Sequence, residues 1–268
     1  MKNLSVQRLN ADASLYLEID GIKVIIDPWL ISSEVDGSHL FNEAWHVNET
    51  VSIDDVNRMG VDFCCISLPF ADHCHDETLS RLNEGIPIVC NREIAQNLNS
   101  RGLDKNRSVL EVPLFPDFIE VGSGRNKLAF SFLAPSGVLD FTHGGLVLRG
   151  KNMEHILIAP HGIKLDKKHS HYAALIELRW MLLCITFSTY ALPLVLGGTV
   201  NLGKEKALAL VESLVPKFVI DIHSEQKATR GLVPLLAGTE YPTTESLSKT
   251  LGSQFLSVQG LDKKVLQL

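Results

Sequence analysis

The sequence predicts an α/β fold, one domain over residues 1–268 in which two β-sheets are covered by helices. Three observations carry that reading. Between residues 52 and 102, apolar strand-like runs alternate with capped helical stretches, the β-α-β-α rhythm of a partly parallel sheet. A second series of strand-like runs fills residues 109–162, and a strand–helix–strand segment runs from 181 to 223. No Gly/Ser linker and no step in composition divides the 268 residues.

Taken in order, "SLYLEID" and "KVIIDPW" read as a hairpin with Asp20–Gly21 as its turn. The second strand stops at Asp27–Pro28, because proline cannot continue a central ladder. A polar, partly irregular stretch follows to about Thr50. "SIDDVNRMG" is a helix capped by Ser52 and stopped by Gly60, and "VDFCCIS" is a buried strand. "DETLSRLNEG" predicts a helix ended by Gly85, "IPIVC" a strand, and "NREIAQNLNSRG" a helix ended by Gly102. "VLEVP", "FIEVG", "LAFSFLAP", "GGLVLRG" and "HILIAPHG" read as strands, with "GSGRNK" (122–127) as a hairpin loop. Then come strand "MLLCITF", helix "GKEKALALVESL", strand "KFVIDIH", a helical tail piece and a last strand, "KKVLQL".

Composition narrows the function classes. At 45% apolar and 21% charged residues the chain reads as a soluble globular protein. A net charge of −6, with scattered acids and no basic cluster, argues against a nucleic-acid partner. Five cysteines without a CxxC pair point to a reducing, intracellular compartment, the cytoplasm first, or an organelle if a presequence was removed. Residues 180–200 carry no charge and reach the length of a membrane span, but Pro193, Gly197 and Gly198 interrupt them. A buried strand, Met181 to Phe187, followed by an apolar loop is the better reading, with no membrane partner. Phosphate-cradling, dinucleotide-binding and nucleophile-elbow motifs are absent.

The chemistry lies in the histidines. His73, His161 and His223 each stand where a predicted strand ends, and loops at the carboxyl ends of parallel strands converge on one crevice. "SLPFADHCHDET" adds Asp72 beside His73. Three histidines and an aspartate form a suitable first shell for one divalent metal, zinc first, with iron or manganese as alternatives. With an open position such a metal activates water, whereas four protein ligands also describe a closed structural site. His75 reads as a cap or surface residue of the following helix, and Cys74 as a small buried residue. His39, His46 and His143 are assigned no role. His169 and His171, with Lys167 and Lys168, read as a mobile basic loop at the site edge.

The order of "DPW", "SLPFADH", a long β-rich stretch, "APHG" and "DIHSEQK" resembles the metallo-β-lactamase superfamily over nearly the whole chain. The resemblance implies an αββα sandwich of two mixed sheets flanked by helices, with a metal site on one edge. The family's His-x-His-x-Asp-His signature reads Leu68, Phe70, Asp72 and His73 here. The mid-chain histidine falls in "LAPSG", which offers only Ser136, and the bridging aspartate falls at His161. The C-terminal histidine matches His223, and Asp27 matches a supporting aspartate. By that resemblance one metal site is vacated, while Asp72, His73, His161 and His223 keep the other.

Two functions follow: a single-metal hydrolase of an unidentified small molecule, with Asp72 and His161 as its catalytic groups, or a non-catalytic binding or structural descendant of the fold that has lost metal-dependent activity. Leu68 and Phe70, two residues apart, are expected to lie buried side by side against the "LAPSG" loop near Ser136.

Overall fold

The computed structural model describes residues 4–123, 126–137, 140–165, 169–258 and 261–266. The chain opens with β1 (Leu4–Arg8), β2 (Leu15–Ile19), β3 (Ile22–Ile26), β4 (Glu34–Asp36) and β5 (Asn42–Trp45). Next come α1 (Ile53–Arg58), β6 (Phe63–Cys65), α2 (Asp76–Arg81), β7 (Ile88–Cys90), α3 (Arg92–Arg101) and β8 (Val109–Glu111). The second half holds β9 (Ile119–Ser123), β10 (Asn126–Leu133), β11 (Gly145–Arg149), β12 (Glu154–Ala159), α4 (Tyr172–Ile176) and β13 (Arg179–Ile185). It continues through β14 (Thr189–Ala191), β15 (Thr199–Leu202), α5 (Gly203–Leu214), β16 (Phe218–Asp221) and β17 (Ala228–Arg230). It closes with α6 (Leu232–Leu236), β18 (Gly238–Glu240), α7 (Thr244–Leu251) and β19 (Lys263–Leu266).

Two mixed sheets form the centre, ordered β19-β1-β2-β3-β6-β7-β8 and β16-β13-β12-β11-β10-β9. Period-2 alternation sorts their side chains into three layers of core. Leu15, Leu17 and Ile19 of β2 meet Leu146, Ile156 and Leu182 of the second sheet in the middle layer. Tyr16, Cys64 and Ile88 face the other way, onto Val56, Leu79 and Leu98 of α1, α2 and α3. Val147, Leu157 and Leu183 face α5 and α7 through Leu210, Leu214 and Leu247. This is the αββα sandwich.

Local signals account for most elements. Ser52, His75 and Asn91 cap α1, α2 and α3 by accepting from backbone N–H groups three residues on. Asp20 and Gly21 both take positive φ, 52° and 88°, so the hairpin pairs Ile19 with Ile22 across a two-residue turn. Helix α2 stops at Leu82, before the expected Gly85. The expected loop at 122–127 and the end of the last strand lie partly outside the described residues. Two small sheets form, β17-β5-β4 and β15-β14-β18; β4, β5, β14 and β15 occupy stretches expected to be irregular or loop, and β17 and β18 interrupt the expected helical tail piece. Strands of three or four residues carry too short a pattern to show in sequence and depend on tertiary pairing. The uncharged segment after Phe187 thus becomes β14 and β15, and among the described residues no helix is long and apolar enough to cross a membrane.

Candidate metal centre

Strands β3, β6 and β7 run parallel in the first sheet, as do β12, β13 and β16 in the second. Their carboxyl ends deliver Asp27, the 67–75 turn, His161 and His223. Each chain exit is fixed by hydrogen bonds. Asp27 N–H donates to the Cys65 carbonyl at 2.9 Å, and Leu202 N–H donates to the His161 carbonyl at 3.1 Å. His223 adopts a positive φ of 56°, and the hydroxyls of Thr186 (3.3 Å) and Ser188 (3.2 Å) donate to its carbonyl. That backbone turn aims an imidazole inward from the end of a strand.

Asp72, His73, His161 and His223 come together, with one donor atom from each lying within 4.8 Å of the others. His73 Nδ1 donates to Asp27 at 3.0 Å, and Asp27 is held by the Ser67 N–H at 2.7 Å. His223 Nδ1 stands 3.0 Å from both oxygens of Asp12. A carboxylate only accepts, so in both rings Nδ1 carries the proton and Nε2 points at the shared centre. His73 Nε2 lies 3.0 Å from His161 Nε2, and Asp72 lies 3.5 Å from His73 Nε2 and 3.6 Å from His223 Nε2. Lys227 completes the group, its Nζ at 2.8 Å from Asp12 and 3.3 Å from Asp72.

Burial alone would neutralise His73, Asp72 and Lys227, but the charges around each of them prevail. It opposes the His73 cation, yet Asp72 and Asp27 push the pKa up to about 9. His161 goes the other way. Burial, with His223 and His73 alongside, holds it well below the ordinary imidazole value. Desolvation works against Asp72, but His73, Lys227 and His223 keep it below the usual carboxylate range. For Lys227 the attraction of Asp12 and Asp72 outweighs desolvation and raises its pKa. A protonated His73 therefore donates from Nε2 to a neutral His161, whose buried Nδ1 then has no partner.

These residues fit a metal ion. Ligands on tetrahedral bonds of 2.0–2.1 Å stand roughly 3.4 Å apart, inside the spread of the donor atoms here. The proton between two imidazole nitrogens is the species a cation replaces, and the Asp27–His73 and Asp12–His223 pairs are the backing that metal-binding imidazoles need.

Other histidines fall elsewhere. His75 caps α2, accepting from Thr78 N–H, and Cys74 is buried, its Sγ accepting from Arg101 at 2.8 Å. His171 packs edge-on to Phe115 at 5.3 Å, away from the site, and Lys167 and Lys168 lie outside the described residues. Leu68 is buried near Pro135, as expected, but Phe70 is only half-buried and stacks on His161 at 5.8 Å. Strand β6 ends at Cys65, and the 70–73 turn, closed by His73 N–H donating to the Phe70 carbonyl, replaces the strand alternation. Ser136 is exposed.

Asp12 and Lys227 were missed in the sequence, and His143 is assigned no role there. His143 is buried, its ring held by Asp140 at 2.7 Å and the Val200 carbonyl at 3.1 Å. It lines, with Asp72, His161 and His223, a cavity of about 1020 Å³.

No protein-family model matches the chain, and no curated protein matches it in sequence. Solved structures do match. Igni18, a metallo hydrolase from the archaeon Ignicoccus hospitalis, is 14% identical, with 99% of each chain covered and a TM-score of 0.65. An isothiocyanate hydrolase from Delia radicum gut bacteria is 18% identical over 98% of this chain and 100% of its own, with a TM-score of 0.66. A possible metal-dependent hydrolase from Veillonella parvula is 15% identical over the whole of both chains, also at 0.66. The chain is a divergent protein of the metallo-β-lactamase fold.

Proposed function

We propose that the chain is a single-metal hydrolase of one domain, binding one divalent ion through His73, His161, His223 and Asp72. The observation that carries this reading is the convergence of three imidazole nitrogens and a carboxylate, two of the rings backed by buried aspartates. Zinc suits such N/O donors best, with iron or manganese as alternatives. The hydrolases among the fold neighbours support the class of reaction. Bound there, the ion supplies Lewis acidity and lowers the pKa of water at the site.

The chain's own residues do the rest. Asp27 and Asp12 fix the rings of His73 and His223. Lys227 holds one oxygen of Asp72, leaving the other toward His73. Asp72 stays ionised at physiological pH and serves as ligand and hydrogen-bond acceptor rather than as acid. His161, neutral and stacked on Phe70, is either the fourth ligand or, standing off, the base that takes a proton from water. The free, buried state of all five cysteines supports a reducing, cytoplasmic setting.

One observation favours a second reading. The 3.0 Å contact between His73 and His161 closes the set by a shared proton alone, as a metal-free binding protein would. Elemental analysis of protein purified without added metal separates the two. Close to one ion per chain, lost in His73→Ala together with hydrolysis of an ester or lactone panel, is the expected result. Far less than one ion, with no uptake of zinc, iron or manganese, overturns the hydrolase reading.

A further inference from the structure

The cavity beside the four residues has an uneven lining. Five acidic side chains line it, Glu34, Asp36, Asp72, Asp140 and Glu225, against two lysines, and of the five Glu34 is held in its neutral form by burial beside Asp72 and Asp36. Neither lysine is free to meet an anion. Lys164 Nζ lies 2.8 Å from Asp140, and Lys227 lies between Asp12 and Asp72. Among the described lining residues, no unpaired lysine or arginine remains to recognise a phosphate or carboxylate.

The rest of the wall is apolar and aromatic, including Phe41, Phe70, Phe141, Tyr190, Leu192 and Val233. Its rim is more unusual. Leu194 lines the cavity yet is 92% exposed, and Val195 beside it is 91% exposed. They occupy a projecting tip between β14 and β15, closed by Gly197 and Gly198 at positive φ. A Cβ on Gly197 would meet nothing within 4 Å. Phe141, on the same cavity, is 61% exposed. No buried contact holds these side chains, so packing gives no reason for them to be apolar. Exposed apolar groups gathered at the mouth of a cavity mark a ligand's path.

We infer that the site takes uncharged substrates carrying an extended apolar arm, such as neutral esters or lactones, the arm lying along Tyr190, Phe41 and Leu194. This rests on the hydrolase reading for its chemistry but not for its binding. Continuity decides the occupant: one cavity joins His161 and His223 to Leu194. A molecule whose reacting carbonyl sits at the histidines therefore leads its tail to that rim. At about 1020 Å³ the cavity reaches the upper end of small-ligand sites, room for a chain well beyond a reacting group.

The test is calorimetric binding of N-butyl-, N-hexyl- and N-octylacetamide, neutral compounds that resist hydrolysis, to the protein as purified. Affinity should rise about fourfold per added methylene while the tail stays inside the cavity. Hexyl phosphate should bind more weakly than N-hexylacetamide. Leu194→Asp, a change at an exposed position, should weaken the octyl compound more than the butyl. A flat chain-length series, or tighter binding of hexyl phosphate, overturns the inference even if esters are hydrolysed. A rising series without any hydrolysis sustains it and removes the hydrolase reading instead. Should Leu194→Asp alter the mass seen by light scattering and leave amide binding unchanged, the rim belongs to a second copy of the chain, and the inference fails.

Discussion

Lys227→Met removes an ammonium and keeps the length of its stem. The Lys227 side chain is 14% exposed and Asp12 only 1%, so the pair is nearly out of water. Breaking such a pair by removing one partner costs about 3–5 kcal/mol, because the other charges stay behind uncompensated. Two carboxylates lose a partner here, Asp12 at 2.8 Å and Asp72 at 3.3 Å, which favours the upper half of that range. For a chain of this size the loss lowers Tm by roughly 6–20 °C. The assay is thermal unfolding of chelated protein, repeated with added zinc. Metal should restore much of the loss, since a dication beside Asp72 supplies charge that the lysine no longer provides. A variant whose chelated Tm stays within about a degree of the parent shows that solvent screens the pair, and the assignment of Lys227 as the fixed cation of the site fails.

Asp27→Asn should lower metal affinity by about 10–100-fold in a chelator competition, because His73 loses the acceptor that fixes its tautomer. An unchanged affinity would separate His73 from the metal. Phe70→Ala should cost about 1–2 kcal/mol in a denaturant titration, less than the 3–5 of a fully buried aromatic, since Phe70 keeps only its stack on His161. The chelated protein should lose stability as pH rises from 6.5 through about 9, for His73 has its pKa raised on folding and contributes while protonated, below that window. Glu34, also pushed up to about 9, slopes the same way, so the comparison is with His73→Gln, which should flatten only part of the curve. An unaltered slope in that variant would remove His73 as its source.

What the sequence made legible were features with a local physical signature. Apolar runs marked β2, β12 and β13 as strands, and Ser52 and Gly102 marked a helix start and a helix end. Strand ends placed His161 and His223 at one edge, since any strand of a parallel pair must deliver its next residues there. Phe70 was misplaced because the strand pattern was carried five residues past its end at Cys65. Asp12 and Lys227 were invisible for another reason. They meet from 215 positions apart in sequence, and their burial exists only once both sheets have closed over them. The apolar run from Trp180 to Val200 combined two causes that no window separates, a fully buried strand and a cavity rim.

Charge balance gives a reason for one metal rather than two on the proposed reading. Three carboxylates, Asp12, Asp27 and Asp72, stand around the histidines with little or no exposure. Lys227 offsets one of them. In the chelated state a protonated His73 offsets a second, which is why burial fails to neutralise it. One dication, entering as that proton leaves, brings the shell of three acids and one lysine to neutrality. A second dication would leave it two positive charges in excess, in a place where uncompensated charge is costly. The lysine thus occupies the electrostatic role that another ion would fill, and Leu68 and Phe70 occupy its ligands' positions in the signature. Restoring both histidines (Leu68→His with Phe70→His) should then leave the metal content near one per chain by elemental analysis. A rise to two would mean that the acids around Lys227 tolerate more positive charge than this balance allows.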